Sequence, residues 1–229
     1  MERAGKWSMP DLSSTPRTVL RRHRERGRTD RDDLYAVLDA GLICHLGVIA
    51  DGVPRVLPTG YGRLADLLYL HGSSANATFM AGGAQEVCVT VTHLDGLVYA
   101  RAVFNHSMNY RSAMIFGVAR LLTDPAEQRL ALRTITDHLT PGQWSYARQP
   151  SRKELAATAV LALPLTEASV KIRTGGPHDE PEDYAMDVWA GAVPVTVAFG
   201  DPEADADLRP GIATPEHVAV RLHAPRSVR

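Results

Sequence analysis

At 229 residues, 45% hydrophobic and 22% charged, the chain can build one domain with extensions around a full core. Its formal net charge of -1 carries no nucleic-acid footprint, and no stretch nears the ~18 uninterrupted apolar residues of a membrane span. Cys44 and Cys88 each sit inside an apolar run and read as small core residues, which suits a reducing compartment. With a polar, basic N-terminus that lacks an apolar signal region, the expectation is a soluble cytoplasmic protein.

Residues 1–29 form a basic arm carrying Arg17, Arg21, Arg22, Arg24, Arg26 and Arg28. No aromatic residue interleaves these charges, so the arm reads as solvated or wrapped on a partner subunit. Asp30 predicts an N-cap for a helix through about Leu38, stopped at Gly41. Strand signals follow: Leu42 to Ala50, a tight turn at Asp51-Gly52, and Val53 to Thr59. Leu67 to His71 is the next strand, and Ser73 or Ser74 can cap a short helix over Ser74 to Ala81. Glu86 to Thr92 alternates Val and Thr, Asp95-Gly96 predicts a turn into Leu97 to Phe104, and Tyr110 to Leu122 is a long strand interrupted at Gly117.

Asp124-Pro125 opens a long helix with Leu132, Ile135 and Leu139 on one stripe, which Thr140-Pro141-Gly142 ends. Thr158 to Leu165 and Ala168 to Arg173 are two more strands. The stretch 200–229 is rich in Asp, Pro and Ala and reads as loop or disorder, leaving 30–199 as the folded domain. Short antiparallel strands at hairpin spacing with few helices argue for a mainly β, closed barrel. No GxGxxG or Walker A pattern occurs, so dinucleotide-fold and P-loop readings have no support.

Polar groups concentrate in four strings: Gly52 to Gly62, His71 to Asn76, Arg101 to Ser112, and Lys171 to Pro177 followed by Trp189-Ala-Gly191. Pro54 and Pro58 remove ladder donors, which places Arg55, Val56, Leu57, Pro58 and Thr59 at an edge, at a bulge or against a ligand. Gly72, Ser73, Ser74 and Asn76 form a small-residue turn between a strand and a helix start, a place where backbone N–H groups suit a phosphate. Lys171 and Arg173 alternate with Val170 and Ile172, so both leave one face of their strand, opposite either an anion or solvent. No His/Cys/Asp set has metal-ligand spacing.

In order and spacing, these strings resemble the pyridoxamine 5′-phosphate oxidase-like, FMN-binding split-barrel superfamily, in its nitroimidazole-reductase-like branch. The matching residues include Ala40-Gly-Leu-Ile-Cys-His-Leu-Gly47, Pro58-Thr-Gly-Tyr61, Leu68-Tyr-Leu-His-Gly-Ser73, His106-Ser-Met-Asn-Tyr-Arg-Ser112, Lys171-Ile-Arg-Thr-Gly175 and Val188-Trp-Ala-Gly191. The resemblance spans about 15–194. It implies a six-stranded antiparallel split barrel that forms a homodimer, with FMN held against the Arg55 to Thr59 backbone and its phosphate at the Gly72–Asn76 turn. Many superfamily members carry Arg or Lys in that turn where this chain has Ala75 and Asn76. Arg111, with Lys171 or Arg173, is then expected to supply the missing charge, from either subunit, with a surface ion pair as the alternative reading of Arg111.

His71 and His106 are the titratable candidates for proton donation near the flavin, with a structural role as the alternative reading of each. Trp189 is expected to stack on the flavin or to pack a dimer interface, and Asn109 and Tyr110 to hydrogen-bond ribityl or ring oxygens. His45 reads as a hydrogen-bonded core residue and His93 as a solvated turn residue. The resulting expectation is an FMN-dependent oxidoreductase that moves electrons or hydride from a reduced nicotinamide to a small electrophile such as a nitroaromatic or quinone. Alternatives are the deazaflavin F420 in place of FMN, and a flavin or haem carrier in which His71 or His106 is an axial ligand. A third reading is a regulatory binding protein whose basic arm contacts nucleic acid.

Overall fold

The computed structural model describes residues 11–12, 14–83 and 85–223; the first ten residues of the basic arm and the last six of the tail lie outside it. After Asp30, whose side chain accepts from the Asp32 amide, helix α1 (Arg31–Ala40) buries Leu34, Val37 and Leu38. Its C-terminal carbonyls are satisfied from elsewhere in the chain, as a buried helix end requires. The Tyr61 hydroxyl donates to Leu38 O (2.6 Å), His93 Nε2 meets Val37 O (2.9 Å) and His138 Nε2 meets Gly41 O (2.6 Å). His93 is therefore a half-buried helix-capping residue, not a solvated turn residue.

Strands β1 (Gly27–Arg28), β2 (Ile43–Ala50), β3 (Val53–Leu64), β4 (Leu67–Ser73), β5 (Glu86–Tyr99), β6 (Ser107–Val118), β7 (Arg120–Leu121), β8 (Thr158–Pro164), β9 (Glu167–Arg173) and β10 (Gly191–Pro194) form one antiparallel sheet. Its order is β1-β9-β6-β5-β2-β3-β4-β8-β7, with β10 added to β5. Asp51 and Gly52, both at positive φ, make the tight β2–β3 hairpin that Asp-Gly favours. Alternate residues point inward: Cys44, Leu46 and Val48 from β2 meet Leu68 and Leu70 of β4, Val89 and Val91 of β5, Ile115 of β6 and Leu161 and Leu163 of β8 in one core. Burial there pushes the Cys44 thiol pKa up to about 12, consistent with an inert core residue.

Helix α2 (Ala77–Ala81) follows β4, and α3 (Pro125–Leu139), capped by Asp124, lies outside the barrel. A second apolar cluster forms between α3 and the outer faces of β4 and β8: Tyr69, Leu122, Ala131, Ile135, Val160 and Ala162, with Leu132 and Leu139 packed against it. Short helices α4 (Gln143–Tyr146) and α5 (Arg152–Ala157) continue that layer, and α6 (Glu216–Ala219) lies in the tail.

Several expectations need correction. Among the described residues there are ten strands, not six: seven long ones and three short additions at the rims. Asp95-Gly96 is a β-bulge inside β5, because the pairing of β5 with β6 runs through it with a register shift. Asn76, not Ser73 or Ser74, caps α2 by accepting from the Phe79 amide (3.1 Å).

The described part of the basic arm packs on its own barrel. Leu12 is buried, Arg17 bridges Glu86 and Glu167, and β1 extends the sheet beside β9. The tail is ordered into helical turns over 216–223. His45 is exposed on the outer face between Pro58 and Thr90, not in the core.

Candidate functional site

The barrel opens between β3 and β4. Strand β3 pairs with β2 from Val53 to Gly60, but with β4 only over Tyr61–Leu64 against Leu67–Leu70. Beyond Leu70, β4 pairs only with β8. One edge of β3 across Arg55, Val56, Leu57, Pro58 and Thr59 is therefore unladdered, and Pro54 and Pro58 sit where a missing N–H costs nothing. Two side chains span the gap: Thr59 Oγ1 donates to His71 O (3.2 Å), and Arg55 Nη1 donates to Thr78 Oγ1 on α2 (2.9 Å).

The turn after β4 is tightly self-bonded. The Ser74 amide and hydroxyl both donate to Ala157 O (3.0 and 3.1 Å), the Ala75 amide donates to Ser73 Oγ (3.2 Å) and the Asn76 amide to Ser73 O (3.0 Å). Gly72 lies against the Phe79 ring, which a Cβ would approach to 2.7 Å, so its smallness serves packing here. An anion at this turn would meet the Arg55 guanidinium and the Ser73 and Thr78 hydroxyls, since the amides of Ser74, Ala75 and Asn76 already have acceptors.

On the other side of β4, His71 faces the α3 layer. It borders a cavity of about 330 Å³ lined also by Leu132, Thr136, Trp144, Arg148 and Glu154. His71 Nδ1 is buried with no hydrogen-bond partner. Burial also pushes its pKa below the ordinary imidazole value, so the ring is neutral at physiological pH and keeps a lone pair. At the rim, Arg148 and Glu154 form a two-bond ion pair (2.9 and 2.7 Å).

The remaining expected residues lie on β6, β9 and the loops beyond them, three or more strands from β3 along the sheet. Arg111 is paired with Asp95 through two bonds (2.9 and 2.8 Å), although its Nη1 is buried and unpartnered. Arg173 is 6% exposed and holds Asn109 Oδ1 and the carbonyl of Gly176 (3.0 Å), so it fastens the 174–176 loop. Lys171 stands half-buried opposite Ser112, and Tyr110 lies between Leu94 and Arg173.

His106 is exposed, with Nδ1 3.1 Å from Ala102 O, in an aromatic group where Tyr99 lies 5.8 Å from both His106 and Trp189. The segment leading to His106 is anchored on Asp179. Burial opposes that charge, but bonds from the Arg101 amide (3.0 Å) and guanidinium (3.1 Å) prevail and hold the carboxyl below its ordinary range. One chain thus brings together Arg55 to Thr59 with His71 to Asn76. It leaves His106, Asn109, Tyr110, Arg111, Lys171, Arg173 and Trp189 elsewhere.

A family model described as pyridoxamine 5′-phosphate oxidase matches residues 30–172. The chain belongs to this family. Its structure is similar to that of flavocytochrome Anf3 from Azotobacter vinelandii, at 42% identity over 90% of this chain and 97% of that one, with a TM-score of 0.87. It is also similar to an FAD and haem binding protein from Mycobacterium smegmatis, at 37% identity over 86% and 97% of the two chains, with a TM-score of 0.82. A candidate 5-nitroimidazole antibiotic resistance protein from Bacteroides thetaiotaomicron matches at 25% identity over 64% and 86%, with a TM-score of 0.56. No curated protein sequence matches significantly. The fold is that of the split-barrel flavoproteins, as the sequence led us to expect. No helix among the described residues is long and apolar enough to cross a membrane.

In this member of the pyridoxamine 5′-phosphate oxidase family, the cavity wall facing His71 comes mostly from residues with no motif in the sequence. Leu132 shares the apolar stripe of α3, while Thr136, Trp144, Arg148 and Glu154 carry no pattern that marks them as a site. One signal was available: Ser151 and Glu154 form a capping box, a legible start for α5.

Proposed function

We propose that the chain is a redox protein that binds a flavin along the open edge of β3 and a haem on His71. The observation that carries this reading is the half-buried, neutral imidazole of His71, whose buried Nδ1 is unpartnered, beside a cavity. An unmatched polar atom costs about 1–3 kcal/mol in a fold, and a metal ion is the partner that neutral imidazole serves best. Haem binding by the Mycobacterium smegmatis protein, and the near-complete mutual coverage of both chains, support carrying it over. The flavin is proposed as FAD in place of FMN on the same ground.

Bound together, the two groups supply exchange between two-electron and one-electron transfer. His71 would hold the iron, and Leu132 and Trp144 would exclude water around it. Arg55 would offset flavin phosphate charge, and the unladdered β3 backbone would orient the ring. The sheet's outer face exposes Ile43, Ile49, Leu94, Leu97, Met108 and Met114, an apolar surface that supports a homodimer. Reduced nicotinamide is the proposed donor and a small electrophile, such as a quinone or nitroaromatic, the acceptor.

An absorbance spectrum of the purified protein, with mass analysis of released cofactors, tests the assignment. The expected result is a Soret band together with a flavin spectrum. Protein that stays colourless after incubation with haemin and FAD would overturn it.

A further inference from the structure

We infer that the segment 199–221 is a strap that fixes α4 as a wall of the His71 cavity, with His217 as its positioning residue. The inference rests on the reading of that cavity as a ligand site. Gln143 and Trp144 of α4 line the cavity. A four-residue helix has no stability of its own, and α4 has no side-chain cap and no buried residue to anchor it. Among the described residues, His217 of the tail packs on its outer side. His217 Nε2 hydrogen-bonds Gln143 Oε1 (2.8 Å), and its ring lies 5.1 Å from that of Tyr146.

The first residue of this contact is specified by backbone geometry. Gly142, just before α4, has φ of 85°, and a Cβ there would lie 2.9 Å from His217 Cβ. A side chain at 142 would be strained and would push the strap away. The strap is closed on itself where the Arg221 guanidinium lies 4.6 Å from the Phe199 ring centroid. A cleft of about 410 Å³ remains between the strap and the turn that joins α3 to α4, lined by Pro141, Gly142, Glu216, His217 and Val220. The strap meets α4 at His217, and its hold reaches His71's surroundings through Gln143.

Full-length His217→Ala and His217→Gln variants test this, because Gln keeps an N–H donor near the Nε2 position. Amide hydrogen exchange at 143–147 needs no cofactor and reads the wall directly. His217→Ala should speed that exchange about tenfold, as loss of one hydrogen bond and a ring contact implies. It should speed haemin dissociation by a similar factor, and His217→Gln should restore both toward wild type. Unchanged exchange in His217→Ala would overturn the inference. Faster exchange with unchanged haemin dissociation would overturn the link to the cavity and the inference with it. Wild-type protein that takes up no haemin would sink the haem assignment instead, and the exchange result would still decide whether the strap holds the wall.

Discussion

The two faces of β4 carry opposite designs. Leu68 and Leu70 enter the barrel core, fully buried among apolar side chains. Tyr69 and His71 face the α3 layer, where Tyr69 joins a second apolar cluster but His71, one strand step on, meets a cavity and leaves a nitrogen unmatched. Both faces belong to one ladder with β8, so backbone pairing is the same for each. What differs is whether the side chain's environment is complete within the chain. A complete environment marks a residue kept for stability, whereas a costly incomplete one marks a residue kept for a ligand.

Substitutions on the two faces should separate these roles. Leu70→Ala should lower unfolding stability by about 2–5 kcal/mol in chemical denaturation, since it leaves a hole in a packed core. A loss below about 1 kcal/mol would mean the inner face is not packed as described. Arg55→Ala, across the open edge, should weaken FAD binding about tenfold, the scale of one charge-assisted contact. Its apo stability should stay within about 0.5 kcal/mol of wild type, and unchanged FAD affinity would remove Arg55 from the site. His71→Leu should leave apo stability unchanged or raise it by up to about 1 kcal/mol, because it removes an unmatched buried polar atom. A large loss would place His71 with Leu70 as a structural residue.

The smallest effect is the pH dependence. In the unfolded chain the His71 imidazole takes its proton near pH ~6.5, whereas burial lowers its pKa in the fold. Below that pH the unfolded state binds more protons, so stability is full above it and falls as pH drops toward the lowered folded value. Denaturation at pH 7.5 and 5.5 should show a decline that is smaller in His71→Leu, by up to about 1 kcal/mol. Equal declines would contradict a neutral, half-buried ring.

The inner face was legible in the sequence because alternation and turn chemistry are local. Asp51-Gly52 predicts its hairpin, and Asp124-Pro125 predicts where α3 starts. His45 misled because Ile43 and Ile49 make the outer face apolar too, so period-two alternation vanishes into one hydrophobic run. Asp95-Gly96 misled because the same residues suit a tight turn and a bulge, and only the partner strand decides between them.

The site was half visible. His71 stood out at the end of its strand, but beyond Leu132 and Thr136 of α3 its surroundings come from residues 143–158, whose helices are too short for periodicity. Arg111 reads in the sequence as a phosphate ligand or half of an ion pair, and Arg173 as facing an anion or solvent; the partners, Asp95 and the 174–176 loop, depend on strand register.

The most direct test is the absorbance of wild type and His71→Leu after each is loaded with haemin and FAD. The wild type should show a sharp Soret band that shifts on reduction, and the variant should lose it while keeping its flavin spectrum. An unchanged Soret band in a folded His71→Leu protein would contradict the claim that the outer face of β4 ends in an iron ligand.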